Sequence, residues 1–242
     1  MSQEDSLVSD ANPIRPAWGA KIPPRSRSGF DRVAGCYPWL EARVFGRKLE
    51  QIRSQYLNLV TQRENVLIIG EGNGRFCAAL LQQKVSGSVT IVDSSARMLA
   101  AVRSRIGDRS RNLEIRFIHA DVREWRPDRV FDCLVTQFFF DLFKPSTQEA
   151  ILALLTAGCT PDAGWLDTDF TADPTGVRTR ILHKLQYIFF KWSCGIEASS
   201  LSDVGACTSA RLWQVQHQTF GAGRLVQAFW RVRRGGRMDV VD

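Results

Sequence analysis

From Asn65 to Phe170 the sequence alternates apolar runs of strand length with segments of helical apolar spacing, and this alternation limits the fold more than any other feature. "NVLIIG", "SVTIVD", "LEIRFIHAD", "FDCLVTQFFF" and "AGWLDTDF" read as strands, the fourth running into a turn. "RFCAALLQQ", "SARMLAAVRSRI" and "STQEAILALLTAGC" read as the helices between them. Two later runs, "ARLWQVQHQTFG" and "GRLVQAFWRVR", read as strands joined by the turn "FGAG". The expectation is an α/β fold: a doubly wound, mostly parallel, seven-stranded sheet with helices on both faces. In such sheets ligands sit at the carboxyl ends of the strands, near the point where the strand order reverses.

The rest of the chain is organised around this core. Residues 1–29, with four prolines, read as a flexible arm, and 30–242 as a single domain. Within that domain, 30–64 read as N-terminal helices, because Leu40, Val44, Leu49, Ile52, Tyr56, Leu57 and Val60 recur at helical spacing from about Pro38. Residues 65–172 form the ligand-binding core, 173–205 a helical insertion after the fifth strand, and 206–236 the final strand pair.

Composition narrows the class. With 44% hydrophobic and 24% charged residues, the 242-residue chain is an ordinary folded protein. No apolar stretch is long enough to cross a bilayer and the polar start is unlike a secretory signal, so a cytoplasmic location is expected. The six cysteines contain no CxxC pair, which points to free thiols and to no metal site. The net charge of +7 is scattered rather than gathered into a stripe interleaved with aromatics, so no nucleic acid partner is expected.

The loop "VLIIGEGNGRF" surrenders side chains at Gly70, Gly72 and Gly74 directly after the first strand. Glycine is favoured where backbone turns sharply or lies against a ligand. A dinucleotide fingerprint would place its third glycine where Arg75 stands, which disfavours NAD, and no GK[ST] follows for a phosphate loop. Asp93 ends the second strand, where a carboxylate can accept both hydroxyls of a ribose. Asp121 ends the third, placed to accept from an exocyclic adenine amine while the Val122 N–H meets a ring nitrogen.

Together "VLIIGEGNGRF", "IVDSSARML", "HADVREW" and "FDCLVTQFFFDLF" resemble the four motifs of class I S-adenosylmethionine-dependent methyltransferases. "FDRVAGCYPWLEARVFGRKL" resembles the N-terminal helix of the ring-carbon methyltransferases of ubiquinone and menaquinone biosynthesis. The resemblance implies S-adenosyl-L-methionine as cofactor. It implies that Gly70, Gly72 and Gly74, with Glu71 and Asn73 between them, lie against the methionine part. It also implies that Asp93 and Ser94 hold the ribose, Met98 packs on the adenine, Gln137 sits close to the sulfonium and Tyr37 folds over the cofactor. The sequence departs from the family at Ile68, where an acidic residue is common, and at Glu71, where a small one is. Glu71 either takes over a contact to the cofactor's amino group or makes only loop hydrogen bonds.

A phenol or enol acceptor needs a base as the methyl arrives. Asp141 and Asp169 lie at the carboxyl edge of the sheet, and for each a catalytic role competes evenly with a cap or loop hydrogen bond. Asp167 is deeper and is expected to be structural. Of the histidines, His183 on the insertion is a candidate substrate contact, His119 is expected in the core, and His217 is expected to be structural. The insertion is rich in bulky apolar residues, which suits an apolar or aromatic small-molecule acceptor. Its flanking Arg178, Arg180, Lys184 and Lys191 leave peripheral membrane contact as a weaker option. The expected function is methyl transfer to carbon or oxygen of a quinone-, phenol- or polyketide-like molecule. The alternative is a non-catalytic scaffold or binding module on the same fold.

Overall fold

The computed structural model describes residues 46–84, 86–107, 113–171, 210–221 and 224–234. The expected arm and the helical insertion, with Tyr37 and His183, lie outside these residues. Two short helices, α1 (Gly46–Arg53) and α2 (Leu57–Thr61), lead into β1 (Asn65–Ile69). Then follow α3 (Arg75–Gln83), β2 (Ser88–Asp93), α4 (Ala96–Ile106), β3 (Glu114–His119) and β4 (Phe131–Gln137). A 3-10 turn (Phe140–Leu142), α5 (Pro145–Ala157), β5 (Cys159–Phe170), the short α6 (Ala210–Leu212), β6 (Trp213–Gly221) and β7 (Val226–Arg233) complete the order.

One seven-stranded sheet results, ordered β3-β2-β1-β4-β5-β7-β6. The first five strands are parallel, and β7 runs antiparallel to both β5 and β6. The order reverses between β1 and β4, so the loop after β1 and the turn after β4 open at the switch point. Residues alternate across the sheet as the pleat requires. Val66 and Ile68 join the core under α1 to α4, while Leu67 and Ile69 join the second core under α5. Burial on both faces explains why β1 and β2 read as unbroken apolar runs.

The helical stretch before β1 parts into α1 and α2 between Arg53 and Leu57. The Arg53 carbonyl accepts from Gln137 Nε2 at 3.0 Å. The next turn bonds locally instead, Leu57 N–H to Ser54 O at 3.2 Å. Strand β5 starts at Cys159, four residues before the predicted alternation, because its register against β4 shifts between Phe131, paired with Cys159, and Cys133, paired with Gly164. A bulge therefore absorbs Thr160–Asp162 and hides the strand's period. His119 is exposed rather than in the core. It ends β3, an edge strand, and its Nε2 donates to the Ser94 carbonyl at 3.2 Å.

No helix among the described residues is long and apolar enough to cross a membrane. His217 packs its ring 5.9 Å from that of Tyr56.

Candidate functional site

The three loop glycines have φ of +66° (Gly70), +67° (Gly72) and +81° (Gly74), a region that side chains with a Cβ rarely enter. Their surroundings differ. A Cβ on Gly70 would lie 2.9 Å from Cδ2 of Phe139, and one on Gly74 would lie 2.9 Å from the Cα of Val102 in α4. A Cβ on Gly72 would meet nothing within 4 Å. The protein itself crowds Gly70 and Gly74, and only Gly72 borders open space.

Glu71 caps α3. Its Oε1 accepts from the Cys77 N–H at 2.9 Å, and the helix's N-cap, Gly74, has no side chain to do so. Burial pushes the Glu71 carboxyl up to about 7, opposed by the Cys77 amide and the Arg53 charge and reinforced by Asp93. Arg53 and Asp93 thus both act on Glu71. Arg75, where a third dinucleotide glycine would stand, turns outward to pair with Glu50 at 4.0 Å.

Asp93 ends β2, and its Oδ1 accepts from the Ser95 N–H at 2.8 Å. Ser95 caps α4 in turn, accepting from the Met98 N–H at 3.2 Å, so Met98 is buried beside the strand end. Ser94, between them, is exposed. Asp121 follows β3. Its Oδ1 accepts from Arg123 N at 3.0 Å and Arg123 Nε at 2.9 Å, and Arg123 Nη2 pairs with Oδ2. This arginine, buried at 3% exposure, fixes the carboxylate's orientation. The Val122 side chain is buried in the second core.

Strained backbone follows the end of β4. Phe138 has φ +53°, unusual for a bulky residue, and its N–H donates to Thr168 O at 2.7 Å. The Phe138 ring lies 4.8 Å from that of Phe170, and the Arg53 guanidinium sits 4.8 Å from the Phe138 centroid. Arg53, Phe139 and Arg123 were not singled out by the sequence reading. Arg53 could have been, as a cation falling on an otherwise apolar helical face beside Ile52.

Asp141 and Asp169, read separately from sequence, come together. The Asp141 N–H donates to Asp169 Oδ2 at 3.1 Å. Asp169 Oδ1 accepts from the Phe170 N–H at 2.8 Å, whereas Asp141 Oδ1 is buried with no hydrogen-bond partner. Burial pushes Asp141 up to about 7 and holds Asp169 well above the ordinary carboxylate range, with Asp141 adding to the latter. Asp167 is structural. It pairs with buried Arg231 and accepts from Thr136 Oγ1 at 3.1 Å. The Arg231 guanidinium lies 4.6 Å from the Trp165 ring.

Two observations bear on whether adenosylmethionine fits. The space beside Gly72 is open, and Asn73 Nδ2, in the same loop, is buried with no hydrogen-bond partner. The loop therefore offers room and an unused donor.

A model of the family described as "Methyltransferase domain" matches residues 66–162. A curated relative, trans-aconitate 2-methyltransferase of Escherichia coli (strain 55989 / EAEC), is 34% identical over 71 residues, 29% of this chain and 26% of its own length. The chain thus matches about a quarter of that relative. Among solved structures, N-methyltransferase NodS from Bradyrhizobium japonicum WM9, in complex with S-adenosyl-L-homocysteine, is similar at TM-score 0.60 and 15% identity, covering 81% of this chain and 91% of that one. Magnesium protoporphyrin IX methyltransferase from Synechocystis PCC 6803, also with bound S-adenosylhomocysteine, gives TM-score 0.60 at 12% identity over 84% and 96%. Mitomycin 7-O-methyltransferase MmcR gives 0.64 at 16% identity over 85% and 60%. The strand order and the glycine loop agree with these matches: residues 66–162 are similar to the methyltransferase-domain family, and the chain has the fold of the class I methyltransferases.

Proposed function

We propose that the chain transfers a methyl group to carbon or oxygen of an apolar small molecule of quinone, phenol or polyketide type. The observation that carries this reading is the open backbone at Gly72, in the loop whose Glu71 feels the charge of the strand-end Asp93. Bound S-adenosylmethionine supplies an activated methyl on a sulfonium, so the protein's task is alignment and exclusion of water. Gly72 and Asn73 would face the methionine part, with Arg53 as the positive charge for its carboxylate. Asp93 and Ser94 would hold the ribose, and Met98, Asp121 and Val122 the adenine. Gln137 ties the end of β4 to α1, so it would position the turn nearest the methyl.

The apolar acceptor is supported by Phe138 and Phe170, packed together at the ends of β4 and β5. Tyr37 and His183 complete the proposed set, as a cover over the cofactor and a contact to the acceptor. The similar proteins include an N- and an O-methyltransferase, so the fold itself does not select the acceptor atom. The test is incubation of the full chain with S-adenosylmethionine and a panel of quinols, naphthols and simple phenols, read by mass spectrometry. A product heavier by one methylene supports the reading. S-adenosylhomocysteine binding without any product across the panel contradicts the substrate class.

A further inference from the structure

The turn after β3 holds its aspartate more firmly than the turn itself requires. The Asp121 carbonyl accepts from the N–H groups of Glu124 and Trp125, both at 2.9 Å, and Asp121 Oδ1 accepts from Arg123 N at 3.0 Å. These bonds close the turn without any guanidinium. Arg123 nevertheless lays its own along the same carboxylate as a two-point fork, Nε to Oδ1 at 2.9 Å and Nη2 to Oδ2 at 2.5 Å. Burying a guanidinium is costly unless it is well paired, and the Arg123 side chain is almost wholly buried. The Asp121 side chain is not, since 22% of it stays exposed, so a ligand can reach it. Asp121 lies just past the end of β3, whose His119 pairs in register with Asp93 of β2. The Ala120 N–H donates to the Asp93 carbonyl at 3.1 Å. The two aspartates therefore stand on neighbouring strand ends, and an arginine fixes the carboxylate of Asp121.

We propose that Arg123 is the positioning residue for purine recognition: it fixes Asp121 as an acceptor-only group, so that the site takes a base with an amino group at carbon 6 and rejects one with an oxygen there. This rests on the methyl-transfer reading above and deepens it at the adenine end of the cofactor. A carboxylate held by a guanidinium has lone pairs to offer and no proton to give. An adenine amine meets it as a donor. A hypoxanthine ring turns a carbonyl oxygen toward it, acceptor against acceptor. A freely rotating carboxylate would swing away from that oxygen at little cost. One forked by Nε and Nη2 cannot turn without breaking two charge-assisted bonds. Discrimination is strongest where the wrong ligand leaves fixed polar groups unpaired. Arg123 acts through Asp121 and need not touch the base.

The test compares calorimetric titrations of the full chain, Arg123→Met and Arg123→Lys with S-adenosylhomocysteine and S-inosylhomocysteine, which differ only in the base. The wild type should prefer the adenosyl compound by about 100-fold or more. Arg123→Met removes charge and fork, and Arg123→Lys keeps the charge and loses the fork, so each should cut that preference about tenfold. The hypoxanthine N1–H opposes the Val122 N–H equally in all three chains, so the change in the ratio reports on Asp121. An arginine that only stabilises the turn would, on removal, weaken both ligands together. An unchanged ratio in the variants therefore overturns the proposal, and so does a wild type that binds the two compounds equally. Thermal midpoints show that the variants are folded, and if Arg123→Met unfolds, the Arg123→Lys ratio decides. A wild-type chain that binds neither compound contradicts the methyltransferase reading itself.

Discussion

The Phe139 ring occupies the space that a side chain on Gly70 would need, with Cδ2 2.9 Å from where the Cβ would stand. The turn after β4 is thereby packed directly onto the loop after β1, across the point where the strand order reverses. Gly70→Ala adds this clash to the strain of a positive φ, and should lower stability by about 2–4 kcal/mol. Gly72→Ala carries only the backbone strain, about 1–2 kcal/mol, yet should weaken S-adenosylmethionine binding more, since it fills the open space. Urea denaturation ranks the first effect and calorimetric titration the second. The reverse ranking in either would contradict the assignment.

The buried pair of Asp167 and Arg231 holds β5 to β7. Removing one partner leaves the other charge buried and uncompensated, so Arg231→Met should destabilise by about 3–5 kcal/mol. Arg231→Met combined with Asp167→Asn should recover a substantial part of that loss. A double variant as unstable as the sum of the singles would place the energy in the packing of Arg231 on Trp165 and Phe229 instead.

Glu71 makes stability depend on pH. Its carboxyl is raised from the ordinary 4.5 to about 7, chiefly by burial. The folded state holds this proton more tightly than the unfolded chain does. The associated stability is fully present below about 4.5 and is lost as pH rises through about 7. Glu71→Gln keeps an oxygen for the Cys77 N–H and removes the titration. Denaturation midpoints measured from pH 4 to 8 should therefore fall less steeply in the variant. Some slope should remain from Asp141 and Asp169, which are raised in the same direction. An unchanged slope would exclude Glu71 as its source.

Much of this architecture was legible in the sequence because both faces of the central strands are covered. Continuous apolar runs such as Val66–Ile69 leave few alternatives to a buried parallel strand. Helices α3 and α4 were equally plain from their apolar spacing. What escaped depends on contacts distant in the chain. Gly70 and Gly74 answer to Phe139 and Val102, and helix α1 ends where Gln137 reaches its last carbonyl. His119 misled because its apolar neighbours signal a strand but not that the strand lies at an edge. Asp141 and Asp169 were visible individually, but their contact arises only when β4 and β5 pair.

The central claim is that Asp93, at the end of β2, helps to hold S-adenosylmethionine over the Gly72 loop. The most direct measurement is calorimetric titration of the full chain and of Asp93→Ala with S-adenosylmethionine and S-adenosylhomocysteine. Binding by the wild type, weakened about 100-fold in the variant with its thermal midpoint preserved, is the predicted result, a loss of about 2.7 kcal/mol. Absence of binding to the wild type, or equal binding to both proteins, would contradict the account.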